Sequence, residues 1–96
     1  MALFVVQHLH QSENCPAGKP EMAAALLKHI SQANAASQGI TIQSEAVVNG
    51  MHVLYMIVEA ADRQTIDRFM QPFAMVGSVE ILPASTCESV VARGVC

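Results

Sequence analysis

The stretch ITIQSEAVVNGMHVLYMIVEA, residues 40–60, predicts a β-hairpin, and the rest of the fold can be predicted outward from it. Two runs rich in β-branched residues flank Asn49-Gly50, a dipeptide typical of tight two-residue turns. We expect such a turn to pair Val48 with Met51 and Val47 with His52. One face of the hairpin is then the more apolar, and we expect the helices to cover it: Ile40, Ile42, Ala46, Val48, Met51, Val53, Tyr55 and Ile57. The opposite face is mixed: Thr41, Gln43, Glu45, Val47, His52, Leu54, Met56 and Val58.

Upstream of the hairpin, hydrophobic spacing predicts one strand and one helix. LFVVQHLH (residues 3–10) is a short apolar run typical of a strand. A loop over residues 11–19 follows. PEMAAALLKHISQANAAS (residues 20–37) has helical spacing, with Pro20 suited to the first helical position and Gly39 to the stop.

Downstream of the hairpin, the same reasoning predicts a second helix and a last strand. Asp62 can cap a helix over residues 63–76, and Pro72 should kink that helix or end it early. SVEILPA, residues 78–84, predicts the strand. The order of elements is therefore β-α-β-β-α-β. This order predicts the α+β class, as a ferredoxin-like sandwich with an antiparallel-type sheet of order 4-1-3-2 and both helices on one face.

The domain organisation that follows is one ferredoxin-like domain and a short tail. We assign residues 1–86 to the domain. In residues 87–96, CESVVARGVC, the spacing of Ser85 and Glu88 is that of a capping box, which favours a short helix. This C-terminal tail could pack on a partner subunit.

The uncovered face of such a sheet needs a partner, and here the chain resembles the dimeric α+β barrel proteins. In these, two ferredoxin-like sheets pack face to face. The segment EAADRQTIDRFMQPFAMVGSVEILPAS, residues 59–85, is similar to the second half of small, mostly uncharacterised domains of this group, some of which bind nickel or other transition metals. The resemblance implies a homodimer with a cavity near the sheet, and it fixes no activity.

Composition excludes several classes of partner. The 96 residues carry a formal net charge of -3 with only five Lys and Arg, so we expect neither nucleic-acid nor membrane binding. No apolar run reaches the length of a membrane span, and the start MALFVV lacks the features of a secretory signal. We therefore expect a cytoplasmic protein whose three cysteines are free thiols or ligands. The low charged fraction, 14%, favours apolar surface hidden in a homodimer.

The strongest chemical signal is the pair His8 and His10 at the end of the first predicted strand. Residues two apart on a strand point to the same side, with Cβ atoms roughly 6 to 7 Å apart, so both imidazoles can reach one ion. Cys15 in the following loop could add a thiolate. Such a set favours Zn, Ni or Cu over Mg or Ca. In the alternative interpretation, the histidines mark a solvated strand end and Cys15 merely precedes a proline turn.

The predicted topology limits which residues can join this pair. We expect strands 1 and 3 to be parallel, which would put His52 roughly 15 to 20 Å from His10 at the opposite end of the sheet. Cys87, after strand 4, should also lie at that far end, although a twofold axis could bring it or His52 across from a second subunit. The predicted metal ligands are thus His8, His10, Cys15 and Cys87.

Two further functions stay open at this point. One is an enzyme of the dimeric-barrel kind, such as a cofactor-poor monooxygenase or isomerase, with His10, Glu45 or His52 as its acid–base group. Glu45 and His52 are the candidate catalytic residues because both lie on the mixed face of the hairpin, which would line the cavity of a dimer. The other is a binding module for a small apolar ligand, without an ion.

Overall fold

Four strands form the sheet: β1 (Ala2–His10), β2 (Thr41–Val47), β3 (Val53–Ala60) and β4 (Gly77–Ala84). The structure is a computed structural model, and it describes residues 1–96. The strands lie in the order β2-β3-β1-β4, and every neighbouring pair is antiparallel. Read from the other edge this is the order 4-1-3-2, which confirms the α+β class and is compatible with the ferredoxin-like fold. The prediction that β1 and β3 are parallel was wrong.

Each of the two long predicted helices is divided in two. The elements are α1 (Pro20–His29), α2 (Gln32–Ser37), α3 (Arg63–Phe69), α4 (Gln71–Ala74) and the C-terminal α5 (Cys87–Arg93). Ser31 separates the first pair, because its side chain accepts the Asn34 N–H and starts a new helix. Pro72 has no N–H to continue the second pair, and the break falls at Met70.

Two helix caps were predicted, and one of them is correct. The Asp62 carboxylate caps α3 by accepting the Thr65 N–H at 2.9 Å, and this hydrogen bond is the main reason that the pKa of Asp62 is lowered. For α5 the cap is Thr86, whose hydroxyl accepts the Ser89 N–H at 3.1 Å. The capping box predicted from Ser85 and Glu88 was therefore placed one residue too early.

The helices cover the face of β3 that was predicted to be the mixed one. Leu54, Met56 and Val58 are buried, whereas Tyr55 and Ile57 are 41% and 39% exposed. The prediction was wrong because alternation sorts side chains into two faces without telling which face the helices cover, and here both faces are apolar. The core is one cluster: Phe4, Val6, Ala35, Ile40, Leu54, Met56, Val58, Ala60, Ile66, Phe69, Met70, Phe73 and Ile81.

The hairpin turn forms at the predicted dipeptide, but the pairing of the two strands begins further from the turn than predicted. Gly50 has φ +77°, and the Met51 N–H donates to the Val48 carbonyl at 3.0 Å. Val47 pairs with Leu54 and not with His52, which contradicts the predicted register. The shift leaves His52 just outside the start of β3, next to the end of β1.

Helix α1 lies beside the sheet without burying any of its residues. Leu26 and Ile30 are half-buried against the core, but Leu27 is 67% exposed. A cavity separates this helix from the sheet and holds the groups described below. None of the helices has the length and apolar character that crossing a bilayer would require.

Candidate functional site

A cavity of about 650 Å³ lies between α1, the loop after β1 and one end of the sheet. All four histidines of the chain line it, although they come from three different parts of the sequence. Cys15 and Glu45 line it as well, and most of the remaining wall is aliphatic. Four imidazoles in one apolar cavity are more than a core of this size needs, so the cavity is the candidate functional site.

His10 and His52 are neighbours in this cavity. Because β1 and β3 run antiparallel, the end of β1 meets the start of β3, and the His10 N–H donates to the His52 carbonyl at 3.2 Å. Their ring centroids are 5.1 Å apart. The expectation that His52 lies at the opposite end was therefore wrong. The physical reason is the topology: a crossover helix makes β1 and β2 parallel, and the hairpin then makes β3, between them, antiparallel to both.

Cys15 completes a group of three possible metal donors. The thiol of Cys15 and one ring nitrogen each of His10 and His52 all lie within 4.8 Å of one another. Cys15 is half-buried and unpaired, between two 3₁₀ turns over Ser12–Asn14 and Pro16–Gly18. These turns fold the loop back over the strand end. Cys15 and His10 of the predicted ligand set are thus brought together.

The ring of His10 has no hydrogen-bond partner. Its Nδ1 and Nε2 atoms are both buried from solvent, and neither is within hydrogen-bond reach of another group of the chain. Burial is the main cause that lowers the pKa of His10, and the neighbouring His52 lowers it further. A neutral imidazole with a free lone pair is the form that binds metal ions.

His8 has a different role from His10, although the two rings stack with centroids 5.3 Å apart. His8 is 4% exposed, and its Nε2 lies 2.9 Å from the Phe73 carbonyl, so Nε2 carries the proton and donates it to that oxygen. Burial lowers the pKa of His8, the Phe73 carbonyl opposes this shift, and His10 adds to it. This hydrogen bond ties α4 to strand β1.

His29 makes a similar contact between α1 and the end of α3. Its Nε2 lies 2.7 Å from the Phe69 carbonyl, and its ring stacks on the Phe69 ring at 4.4 Å. The break caused by Pro72 prepares this acceptor, because the Phe73 N–H bonds to Met70 rather than back to Phe69. Sequence patterns could not indicate this role of His29, since no local pattern relates α1 to a carbonyl forty residues away.

Gly77 allows the strands to close around the histidines. It pairs with His10 at the start of β4, and a Cβ atom there would lie 2.0 Å from the Leu9 carbonyl oxygen and 3.0 Å from Nε2 of His8. Only glycine fits such an approach. The position of both β1 histidines therefore depends on a residue without a side chain.

Of the other predicted site residues, Cys87 lies far from the cavity within one chain. It begins α5, after β4 has run from the His10 end of β1 to the Leu3 end, and it is exposed. Glu45 does line the cavity, from the edge strand β2, and so does His52. Both catalytic candidates therefore face the same space as the donor group.

The donor group of His10, Cys15 and His52 suits a transition metal. Two nitrogens and one sulfur match the ligand types of zinc and its neighbours, and not those of magnesium or calcium. Bond lengths of 2.0 to 2.3 Å imply about 3.3 to 3.8 Å between tetrahedral ligands. Small side-chain rotations would bring the three atoms from their present separations, all within 4.8 Å, to this spacing. Three protein donors leave one tetrahedral position for another ligand.

Comparison with known families places the chain in a family without an assigned activity. A family model described as Domain of unknown function (DUF3303) matches residues 3–94, so the chain belongs to this family. A search of curated proteins found no match.

Proposed function

We propose that this DUF3303 protein binds a transition-metal ion through His10, Cys15 and His52. The observation that carries the proposal is the pair of buried His10 ring nitrogens without a partner. A buried polar atom without a hydrogen bond is costly, and a metal ion with two further donors close by would remove that cost. The proposal replaces His8 and Cys87 of the predicted ligand set by His52.

Zinc, nickel and copper(I) all accept this ligand set, and storage, sensing or delivery of the ion would each be consistent with it. The thiolate of Cys15 must stay reduced to bind. A cytoplasmic location, where thiols are kept reduced, is part of the proposal for this reason.

Metal analysis of the purified protein tests the proposal. We expect close to one ion per chain under reducing conditions, and loss of most of it in His10→Ala, His52→Ala and Cys15→Ser. The matched controls are Cys87→Ser, whose thiol is exposed at the far end of the sheet, and His29→Ala, whose ring is bonded to a carbonyl. Wild-type protein without metal under these conditions, or equal loss in the controls, contradicts the proposal.

The proposal includes a homodimer formed through the open face of the sheet. The chain's own core lies on the other face of the sheet. Four large side chains of the open face remain exposed: Leu9, Tyr55, Ile57 and Leu82. A second copy offers the same apolar surface, and a twofold axis would pack the two open faces against each other. Sedimentation should give a dimer for the wild type and for Met75→Glu, an exposed position outside the face, and a monomer for Ile57→Glu. A monomeric wild type at micromolar concentration contradicts this part.

A further inference from the structure

The cavity is much larger than a metal ion with three protein ligands requires. A single coordinated ion fills a small part of about 650 Å³, and volumes in this range are typical of sites that hold a small organic molecule. Beyond the donor group, the wall is built from aliphatic side chains of α1 and the sheet, including Ala23, Leu26, Val47 and Leu54. The volume of the cavity and its aliphatic wall thus favour an occupant with a substantial apolar part.

Charge restricts the occupant further. Neither Lys nor Arg lines the cavity, and Glu45 is its one carboxylate. A divalent ion bound to the Cys15 thiolate, with the Glu45 carboxylate in the wall of the same cavity, brings the formal charge of the cavity to zero. A carboxylate or phosphate ligand would add negative charge that no basic side chain compensates, so an uncharged head group fits best.

We infer that the cavity binds a small uncharged molecule with an aliphatic chain and one oxygen or nitrogen donor. The donor atom occupies the fourth metal position beside His10, Cys15 and His52, and the chain lies against α1. The head-group half of this inference rests on the proposed metal binding. The apolar half rests on the cavity wall alone and holds for the metal-free protein as well.

Straight-chain amides serve as probes, measured by calorimetry on zinc-loaded and metal-free protein. We expect the affinity to rise from butanamide through hexanamide to octanamide, by up to about fourfold for each added methylene. Octanamide should bind more tightly when zinc is present. Octanoate, which has the same chain with a negative head group, should bind more weakly than octanamide.

Two neighbouring alanines of α1 supply a matched pair of variants. Ala23 lines the cavity, whereas Ala24 is exposed and does not line it. Ala23→Phe should place a ring in the part of the cavity beside α1 and weaken octanamide binding by about tenfold or more, with Ala24→Phe unchanged. If Ala23→Phe does not fold, judged by its circular dichroism, Ala25→Phe replaces it, because Ala25 also lines the cavity.

The possible failures can be told apart. If the protein takes up zinc but the amides show no chain-length dependence, or bind equally to the Ala23→Phe variant, the inference is overturned while the proposed function stands. If zinc does not bind but the chain-length series and the Ala23→Phe effect persist in metal-free protein, the proposed function fails and the apolar half stands. Tighter binding of octanoate overturns the claim of an uncharged ligand.

Discussion

Two pairs of histidines line one cavity, and their surroundings give them opposite roles. His8 places Nε2 against the Phe73 carbonyl of α4 at 2.9 Å, and His29 places Nε2 against the Phe69 carbonyl at the end of α3 at 2.7 Å. His10 and His52 lie next to each other at the strand ends, and the ring nitrogens of His10 have no partner at all. The residue type alone therefore does not identify a ligand. A histidine whose donor is already used by the fold is a structural residue, and one without a partner is a candidate for chemistry.

The largest expected effect comes from a substitution that disturbs both pairs together. In Gly77→Ala the new Cβ atom would meet the Leu9 carbonyl oxygen at 2.0 Å, so β4 must move away from β1. We expect a loss of about 3 kcal/mol or more in the free energy of unfolding, measured by urea denaturation, because the backbone itself must give. Metal uptake should fall too, since His10 pairs with residue 77.

Gly18→Ala is the matched control for this experiment, because nothing lies within 4 Å of a Cβ atom at that position. A Gly77→Ala variant as stable as the Gly18→Ala variant would show that the close approach of the two strands is not required.

The second effect concerns His10 and His52, the pair whose rings are not hydrogen-bonded to a backbone carbonyl. Zinc at a free concentration near a hundredfold above its dissociation constant should raise the free energy of unfolding by about 2.7 kcal/mol. This gain should vanish in His10→Ala and persist in His29→Ala, which thermal unfolding with and without zinc would reveal. Equal gains in both variants would erase the distinction between the two pairs.

The third effect concerns the pair bonded to carbonyls. Removing the buried imidazole in His8→Ala leaves the Phe73 carbonyl without that donor and opens a void beside the Phe73 ring. We expect a loss of about 2 kcal/mol in the stability of the metal-free protein. His10→Ala should cost less, because no hydrogen bond is lost there. Chemical denaturation of the two metal-free variants makes the comparison, and a larger loss in His10→Ala would reverse the assigned roles.

The smallest effect is a pH dependence of the metal-free protein. Burial lowers the pKa values of His8 and His10 below the usual value of about 6.5. Below this pH the unfolded chain binds more protons than the folded one, so the stability that is present above pH 6.5 is lost as the pH falls through the folded pKa values. The urea concentration at the midpoint of unfolding should fall as the pH is lowered from about 7.5 to about 5.5, and it should fall less in His8→Gln. A flat profile would contradict the cause given for the pKa shifts.

Local signals in the sequence were enough for the class of fold and for two of the three donors, His10 and Cys15. The caps and breakers act over a few residues, which is why Asp62, Pro72 and Gly50 could be assigned correctly. Strand alternation put His8 and His10 on one side of β1. Both then appeared to be ligands, because nothing local distinguishes them.

The remaining features required contacts between distant segments. Strand direction brought His52 to His10, and the loop after β1 brought Cys15 to both. A kinked helix pair supplied the carbonyls that His8 and His29 use. The covered face of β3 was decided by where the helices pack, since both faces of that strand are apolar. The order of the strands and helices along the chain could thus be predicted from the sequence, because it depends on short-range spacing. Which histidine rings are hydrogen-bonded and which are left without a partner is visible only in the folded protein, because it depends on contacts between residues far apart in the chain.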